Sequence, residues 1–336
     1  MAWLLTSTLF VVSLVVLVKS SGGFVHFSAK IARRLGASEF MIGLTLVAIG
    51  TSLPEFMNTI VASLGGVNGF ALGNIMGSNM ANMGLSIGVS VLLASIFIKP
   101  KLYRRELTML ILSTVAFVVA AGDGRIGRDE GFLLALLFIG YMLYVTKILD
   151  DFVERIKPVE LDYFVRYLSK VDYRKAVRGQ VEFVSRSRYL IVDLTAVIAC
   201  GVLLVAGSKL LVQSVLDLTS LLGVSSAGVA ATLVAVGTTT PELSVSLASV
   251  RRGFHDMLFG NIIGSNIINM LFIIGVGAFI APFAISPIVL YWALPLLCLS
   301  TLLIALALMR KGVVPKPVGA AMLGLYIVFL AVMWRA

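Results

Sequence analysis

One stretch of sequence occurs twice in this chain, 187 positions apart and without a gap. Thr45-Leu46-Val47-Ala48 returns as Thr232-Leu233-Val234-Ala235, and Gly50-Thr51 returns as Gly237-Thr238. Pro54-Glu55 returns as Pro241-Glu242, and GNIMGSNMANM (Gly73 to Met83) returns as GNIIGSNIINM (Gly260 to Met270). A repeat at this scale makes the chain two like halves. The number of helices between equivalent points decides whether the halves run the same way or opposite ways.

Composition supplies that number. The chain is 59% hydrophobic and 13% charged, with mean hydropathy +1.02, whereas soluble domains carry about a quarter charged residues. It therefore reads as an all-α polytopic membrane protein. Spans need about 20 apolar residues, and about ten such helices are expected: 2–35, 38–65, 69–98, 104–121, 127–149, 187–222, 225–251, 256–281, 286–309 and 316–334. The first and sixth are over-long. Five helices separate equivalent points, and an odd number turns the second copy upside down. The expected plan is two inverted five-helix repeats, 1–149 and 187–336, joined by a cytoplasmic linker, 150–186.

Lys and Arg sort the loops. Twenty-two of them fall on one side, including Lys30, Arg33, Arg34, Lys99, Lys101, Arg104, Arg105, Lys147, Arg251, Arg252, Arg310, Lys311, Lys316 and the linker, against Arg125, Arg128 and Arg335 opposite. Both termini are thus expected outside. The net charge of +10 reads as topology and contact with anionic lipid, not as nucleic-acid binding. The first span lacks a basic leader and a cleavage site, so it reads as a retained helix. A prokaryotic plasma membrane is the expected location. Within the linker, Leu161, Phe164, Val165, Leu168 and Val171 follow helical spacing, which suits either a helix lying on the inner membrane face or an ordinary connector. Cys200 and Cys298 both lie in apolar segments, which supports neither a disulfide framework nor a zinc site.

Between Phe40 and Ile98 the only charged residue is Glu55, and between Gly223 and Val250 the only one is Glu242. From Met257 to Met309 there is none. A carboxylate taken out of water unpaired costs several kcal/mol. These helices offer no basic partner, which leaves the distant Lys19 or Lys209 as the ion-pair alternative within the protein. Otherwise the partner is a proton or a metal cation. Pro54 and Pro241 lack an N–H and free carbonyls near Ala48 and Ala235. Thr51, Ser52, Thr238 and Thr239 add hydroxyls. One helical turn puts Ser78 and Asn82 on one face, and likewise Ser265 and Asn269. Pooling the halves gives only oxygen donors, a set that suits hard cations and calcium better than magnesium. Gly43, Gly73, Gly77, Gly84 and Gly88 read as sites of close helix packing. Asn74, Asn79, Asn261 and Asn266 read as hydrogen-bonding supports rather than ligands.

On GTSLPEFMNTIVASLGGVNGFALGNIMGSNMANMG and GTTTPELSVSLASVRRGFHDMLFGNIIGSNIINML, the chain resembles the sodium/calcium exchangers of the cation/calcium antiporter superfamily, whose two alpha repeats these match. The resemblance implies a central calcium site flanked by sodium sites. Calcium would be held by Glu55 and Glu242 with the backbone oxygens of Thr51 and Thr238. Sodium would use Ala48, Ser52 and Ser78 in one half, and Ala235, Thr238, Thr239 and Ser265 in the other. The resemblance also implies that the long first and sixth helices slide across the other eight. Two departures stand out. Thr239-Thr240 replaces the usual Ser-Leu, and Asn269 stands where many such exchangers carry an aspartate, which leaves two carboxylates.

Secondary antiport of calcium against sodium is the expected function, with no cofactor. Calcium/proton antiport by the same glutamates is the alternative within transport, and a cation channel is a further one. Enzyme chemistry is not expected: His26 and His255 lie in no HExxH, the carboxylates lack an acid/base neighbour, and a Walker A motif is missing.

Overall fold

The computed structural model describes residues 2–34, 48–98, 100–144, 173–251 and 255–334. Apolar runs in a medium without water must satisfy their backbone internally, so they become helices. Helix α1 (Ala2–Arg34) is followed by α2 (Ala48–Thr51) and α3 (Leu53–Leu64). Next come α4 (Asn68–Leu93), α5 (Pro100–Ala121) and α6 (128–144). The second half holds α7 (Tyr173–Leu222), the bent pair α8 (Ser226–Thr238) and α9 (Thr240–Arg251), and α10 (His255–Ile267), which runs on through Ile280. Helices α11 (Val289–Arg310) and α12 (Lys316–Met333) complete it.

Six of these helices are long and apolar enough to cross a membrane, and the α8–α9 pair makes a seventh. The other three expected spans fall short of that test for visible reasons. Those at 38–65 and 127–149 extend beyond the described residues, and α5 opens with Lys101, Arg104, Arg105 and Glu106.

Among the described residues, two boundaries moved by five residues or more. The third expected span ends at Leu93 rather than 98, because Ala94 is extended and Ile96–Phe97 (β1) pairs with Val313–Val314 (β4). The sixth begins at Tyr173 rather than 187 and is a 50-residue helix. Its charged first turns are helical without being apolar, so hydropathy alone placed the start too late. The amphipathic segment 161–171 lies outside the described residues.

A second two-stranded ribbon joins Arg125–Ile126 (β2) to Phe283–Ala284 (β3). The strands β1 and β3 are 187 residues apart. The ribbons sit at opposite ends of α5, whose 22 residues span about 33 Å at 1.5 Å each. Each ribbon ties one half to the other.

Burial separates the helices into classes. The apolar windows of α4 and α10 are 83% buried, whereas those of α1 and α7 are 24% and 22% buried. Thus α4 and α10 form the centre, and α1 and α7 pack along one another at the periphery. The centre is close-packed through small residues. A side chain on Gly73 would strike the Ala227 carbonyl, one on Gly77 the Ala231 carbonyl, one on Gly84 Tyr326 and one on Gly88 the Gly319 carbonyl. Gly43 lies outside the described residues.

Candidate cation site

Each half breaks a helix at the same place. Ser52 sits at φ −87°, ψ 7° between α2 and α3, and Thr239 at φ −79°, ψ −1° between α8 and α9. Both are in the sparsely occupied bridge region. The α8–α9 bend is 43°. The cause is the proline two residues on. Pro54 has no N–H for the carbonyl four residues back, that of Gly50, and Pro241 has none for Gly237. In the first half α1 fills the gap, with Ser21 Oγ donating to the Gly50 carbonyl at 2.8 Å.

The broken ends bring Glu55 and Glu242 inside, each 1% exposed. Their surroundings cross over between the halves. The side chains of Thr238 and Thr239 lie against the Glu55 carboxyl group, and those of Thr51 and Ser52 lie against Glu242. The two carboxyl groups are near enough to interact electrostatically. Ser78 Oγ on α4 donates to Glu55 Oε1 at 3.2 Å. Its counterpart Ser265 on α10 is buried with Oγ unpartnered.

Lys19 and Lys209 are exposed on α1 and α7, so neither reaches the carboxylates. The Arg105–Glu106 ion pair on α5 lies far along the sequence from both. Glu55 Oε2 and Glu242 Oε2 are buried without a protein partner, and so are Ser52 Oγ, Thr239 Oγ1, Asn82 Oδ1 and Asn269 Oδ1. Ala48 opens α2, and Ala235, fully buried, opens the last turn of α8. Every candidate residue therefore lies on the two broken pairs or on α4 and α10. No cluster of three or more His, Cys, Asp and Glu occurs among the described residues. Fixed negative charge at this place comes from two carboxylates, and the remaining donors are neutral oxygens, an arrangement that suits a hard cation.

Of the four asparagines expected to act as hydrogen-bonding supports, Asn79 and Asn266 support other side chains, whereas Asn261 Nδ2 is buried without a partner. Asn82 Nδ2 donates to Asn266 Oδ1 at 3.1 Å, and Asn269 Nδ2 donates to Asn79 Oδ1 at 3.0 Å. Asn74 Nδ2 reaches the Glu55 carbonyl at 3.5 Å. Ser21, Ser208 and Asn58 went unnoticed in the sequence. Ser208 Oγ on α7 donates to Asn58 Oδ1 at 2.8 Å, one turn beyond Glu55. The signal was present, because Ser21 and Ser208 are also 187 residues apart, outside the matching motifs.

A sequence profile described as sodium/calcium exchanger protein matches residues 6–147 and 193–335. The sodium/calcium exchanger MaX1 of Methanosarcina acetivorans is 31% identical, over 96% of each chain. The inner membrane protein YrbG of Escherichia coli is 28% identical, over 98% of this chain and 97% of that one. Among solved structures, the sodium-calcium exchanger NCX_Mj, soaked with sodium and strontium, superposes with a TM-score of 0.63 at 28% identity, covering 98% of both chains. The chain belongs to the sodium/calcium exchanger family, and its activity is cation/calcium exchange across a membrane, not enzyme catalysis.

Proposed function

We propose that the protein exchanges calcium for sodium by alternating access, using one site where the two broken helices meet. The observation that carries this is the crossing-over of the donors: each carboxylate lies against the hydroxyls of the opposite half. A site shared in this way opens only by moving one half against the other. The 187-residue correspondence of the breaks, the ribbons and the asparagine pairs supports ten helices arranged as two inverted repeats, with the site at the midplane.

Glu55 and Glu242 hold calcium together with the Thr51 and Thr238 carbonyls, and Asn82 and Asn269 complete the oxygen set. Sodium uses Ala48, Ser52, Ser78, Ala235, Thr238, Thr239 and Ser265. Two carboxylates in a low-dielectric interior repel one another. The empty site is therefore costly to close, whereas one calcium or two sodium ions neutralise it. If only neutralised forms cross between the two faces, each arriving cation requires a departing one. Strict exchange then follows from electrostatics.

The test is calcium uptake by purified protein in liposomes under a sodium gradient and, separately, under a proton gradient. Sodium-driven uptake is expected. Uptake driven by protons alone would replace sodium by protons as counter-ion. The positive-inside count further predicts that a cysteine at Gly124 is labelled only from outside, and one at Gly312 only from the cytoplasm. The reverse pattern would invert the topology and leave the site intact.

A further inference from the structure

An asparagine side chain can offer a cation its oxygen or, turned over, its N–H groups, and only the first attracts. The terminal amide rotates in a broad, two-fold well, so something must hold it the right way round. Asn82 and Asn269, both 1% exposed, have amide nitrogens engaged and amide oxygens without a protein partner. What engages the nitrogen comes in each case from the other half. Asn266 of α10 accepts from Asn82 of α4, and Asn79 of α4 accepts from Asn269 of α10. The two bonds are the same bond at the 187-residue offset, since 79 corresponds to 266 and 82 to 269.

We propose that Asn79 and Asn266 are positioning residues, each turning the amide oxygen of an asparagine from the opposite half toward the cation. The inference rests on the reading of the oxygen cluster as the calcium site. It also accounts for Asn269. An aspartate at that position has no N–H to give Asn79, so the paired arrangement seen here requires an amide at 269. Two matched amide pairs leave the site with two carboxylates and neutral oxygens of fixed direction. They also bridge α4 and α10 beside the cation, so that site geometry and packing of the two central helices are set by the same bonds.

The test is a double-mutant cycle on calcium uptake in proteoliposomes, reading half-saturating calcium separately from maximal rate. Asn266→Leu is expected to raise half-saturating calcium about five- to tenfold, the range that losing one buried hydrogen bond allows. In an Asn82→Ala background the same change should add less than about twofold, because its target is already gone. In an Asn269→Ala background it should keep its full effect. Equal effects in both backgrounds would overturn the proposal and leave Asn266 as a packing residue. Where Asn266→Leu does not fold, Asn79→Leu runs the mirror cycle, with Asn269→Ala as the masking variant and Asn82→Ala as the control. Wild-type uptake driven by protons instead of sodium would correct the counter-ion and leave this cycle readable on calcium. No calcium uptake under either gradient would overturn both readings.

Discussion

Ser21 of α1 and Ser208 of α7 stand at equivalent places in the two halves, yet they hold different things. Ser21 donates to the Gly50 carbonyl, the one that Pro54 leaves without a partner. Ser208 donates not to the equivalent Gly237 carbonyl but to the Asn58 side chain. On the α2–α3 side the turn after Glu55 therefore carries a polar anchor for the long helix. On the α8–α9 side the residue corresponding to Asn58 is Val245. Around the carboxylates the same contrast recurs, since Ser78 reaches Glu55 whereas Ser265 is unpartnered. Like sequences in unlike conformations are what a device that faces one side at a time must show at any instant. Conformational asymmetry belongs to the state, and chemical asymmetry, Asn58 against Val245, belongs to the protein.

The largest expected effect lies where the halves are chemically alike. Glu55→Gln and Glu242→Gln each remove one of the two negative charges while keeping the shape of the side chain. Each should abolish calcium uptake and leave a folded, extractable protein. Near-normal sodium-driven flux in either variant would show that the site does not depend on a matched pair.

Asn269→Asp sharpens the comparison next, because it makes the second half acidic where the first has Asn82. A third carboxylate beside two others introduces like-charge repulsion that an additional proton or cation relieves. It also removes the N–H that Asn79 accepts, so the Asn79 amide must turn over. The variant should stay competent but show a stronger pH dependence or a changed charge moved per calcium. Flux against pH and reversal potential, wild type beside variant, measure both. Identical profiles would place Asn269 outside the electrostatic reach of the cation.

Much of this was legible in the sequence because a membrane leaves few options. A carboxylate alone in an apolar span, with a proline before it and a copy of both 187 residues on, specifies a broken helix and a shared polar site. The close packing at Gly73, Gly77, Gly84 and Gly88 was readable from glycines at helical spacing, but the spacing does not guarantee it, since at the equivalent Gly260 and Gly264 an added side-chain carbon would meet nothing within 4 Å. Hydropathy failed where a helix leaves the bilayer, as in the charged first turns of α7, or ends in a dipeptide strand, as at Ile96–Phe97. Direction was also hidden. Nothing in a row of asparagines says which donates to which, and that Asn82 pairs with Asn266 rather than with Asn79 follows only from how α4 and α10 face each other. Ser21 and Ser208 were lost for a different reason. A lone serine in an apolar helix commonly bonds its own backbone, as Ser20 does to the Val16 carbonyl at 2.6 Å, so composition cannot tell an interhelical donor from a self-satisfied one.

The smallest expected effect concerns the chemical difference itself. Suppose the halves exchange conformations when the site turns to the other face. Ser208 then takes the Gly237 carbonyl, and Ser21 moves to the place on α9 that corresponds to the one Ser208 holds on α3. There it meets Val245, which accepts nothing, where Ser208 met Asn58. The arrangement seen here consequently has one interhelical hydrogen bond more than its counterpart, and it should be favoured by about 1 kcal/mol, a typical net value for such a bond and about fivefold in population. Val245→Asn gives Ser21 an acceptor in the exchanged form alone, so it should bring the two populations toward equality. Ser208→Ala removes one bond from each form and should leave the ratio nearly unchanged while lowering thermal stability. Spin labels at Leu64 and Leu221, which are 71% and 50% exposed near the ends of α3 and α7, report the two populations as two distances. A ratio that moves with Ser208→Ala and not with Val245→Asn would mean that the serine, and not its acceptor, sets the preference. The difference between the halves at Asn58 and Val245 would then have no part in which way the protein rests.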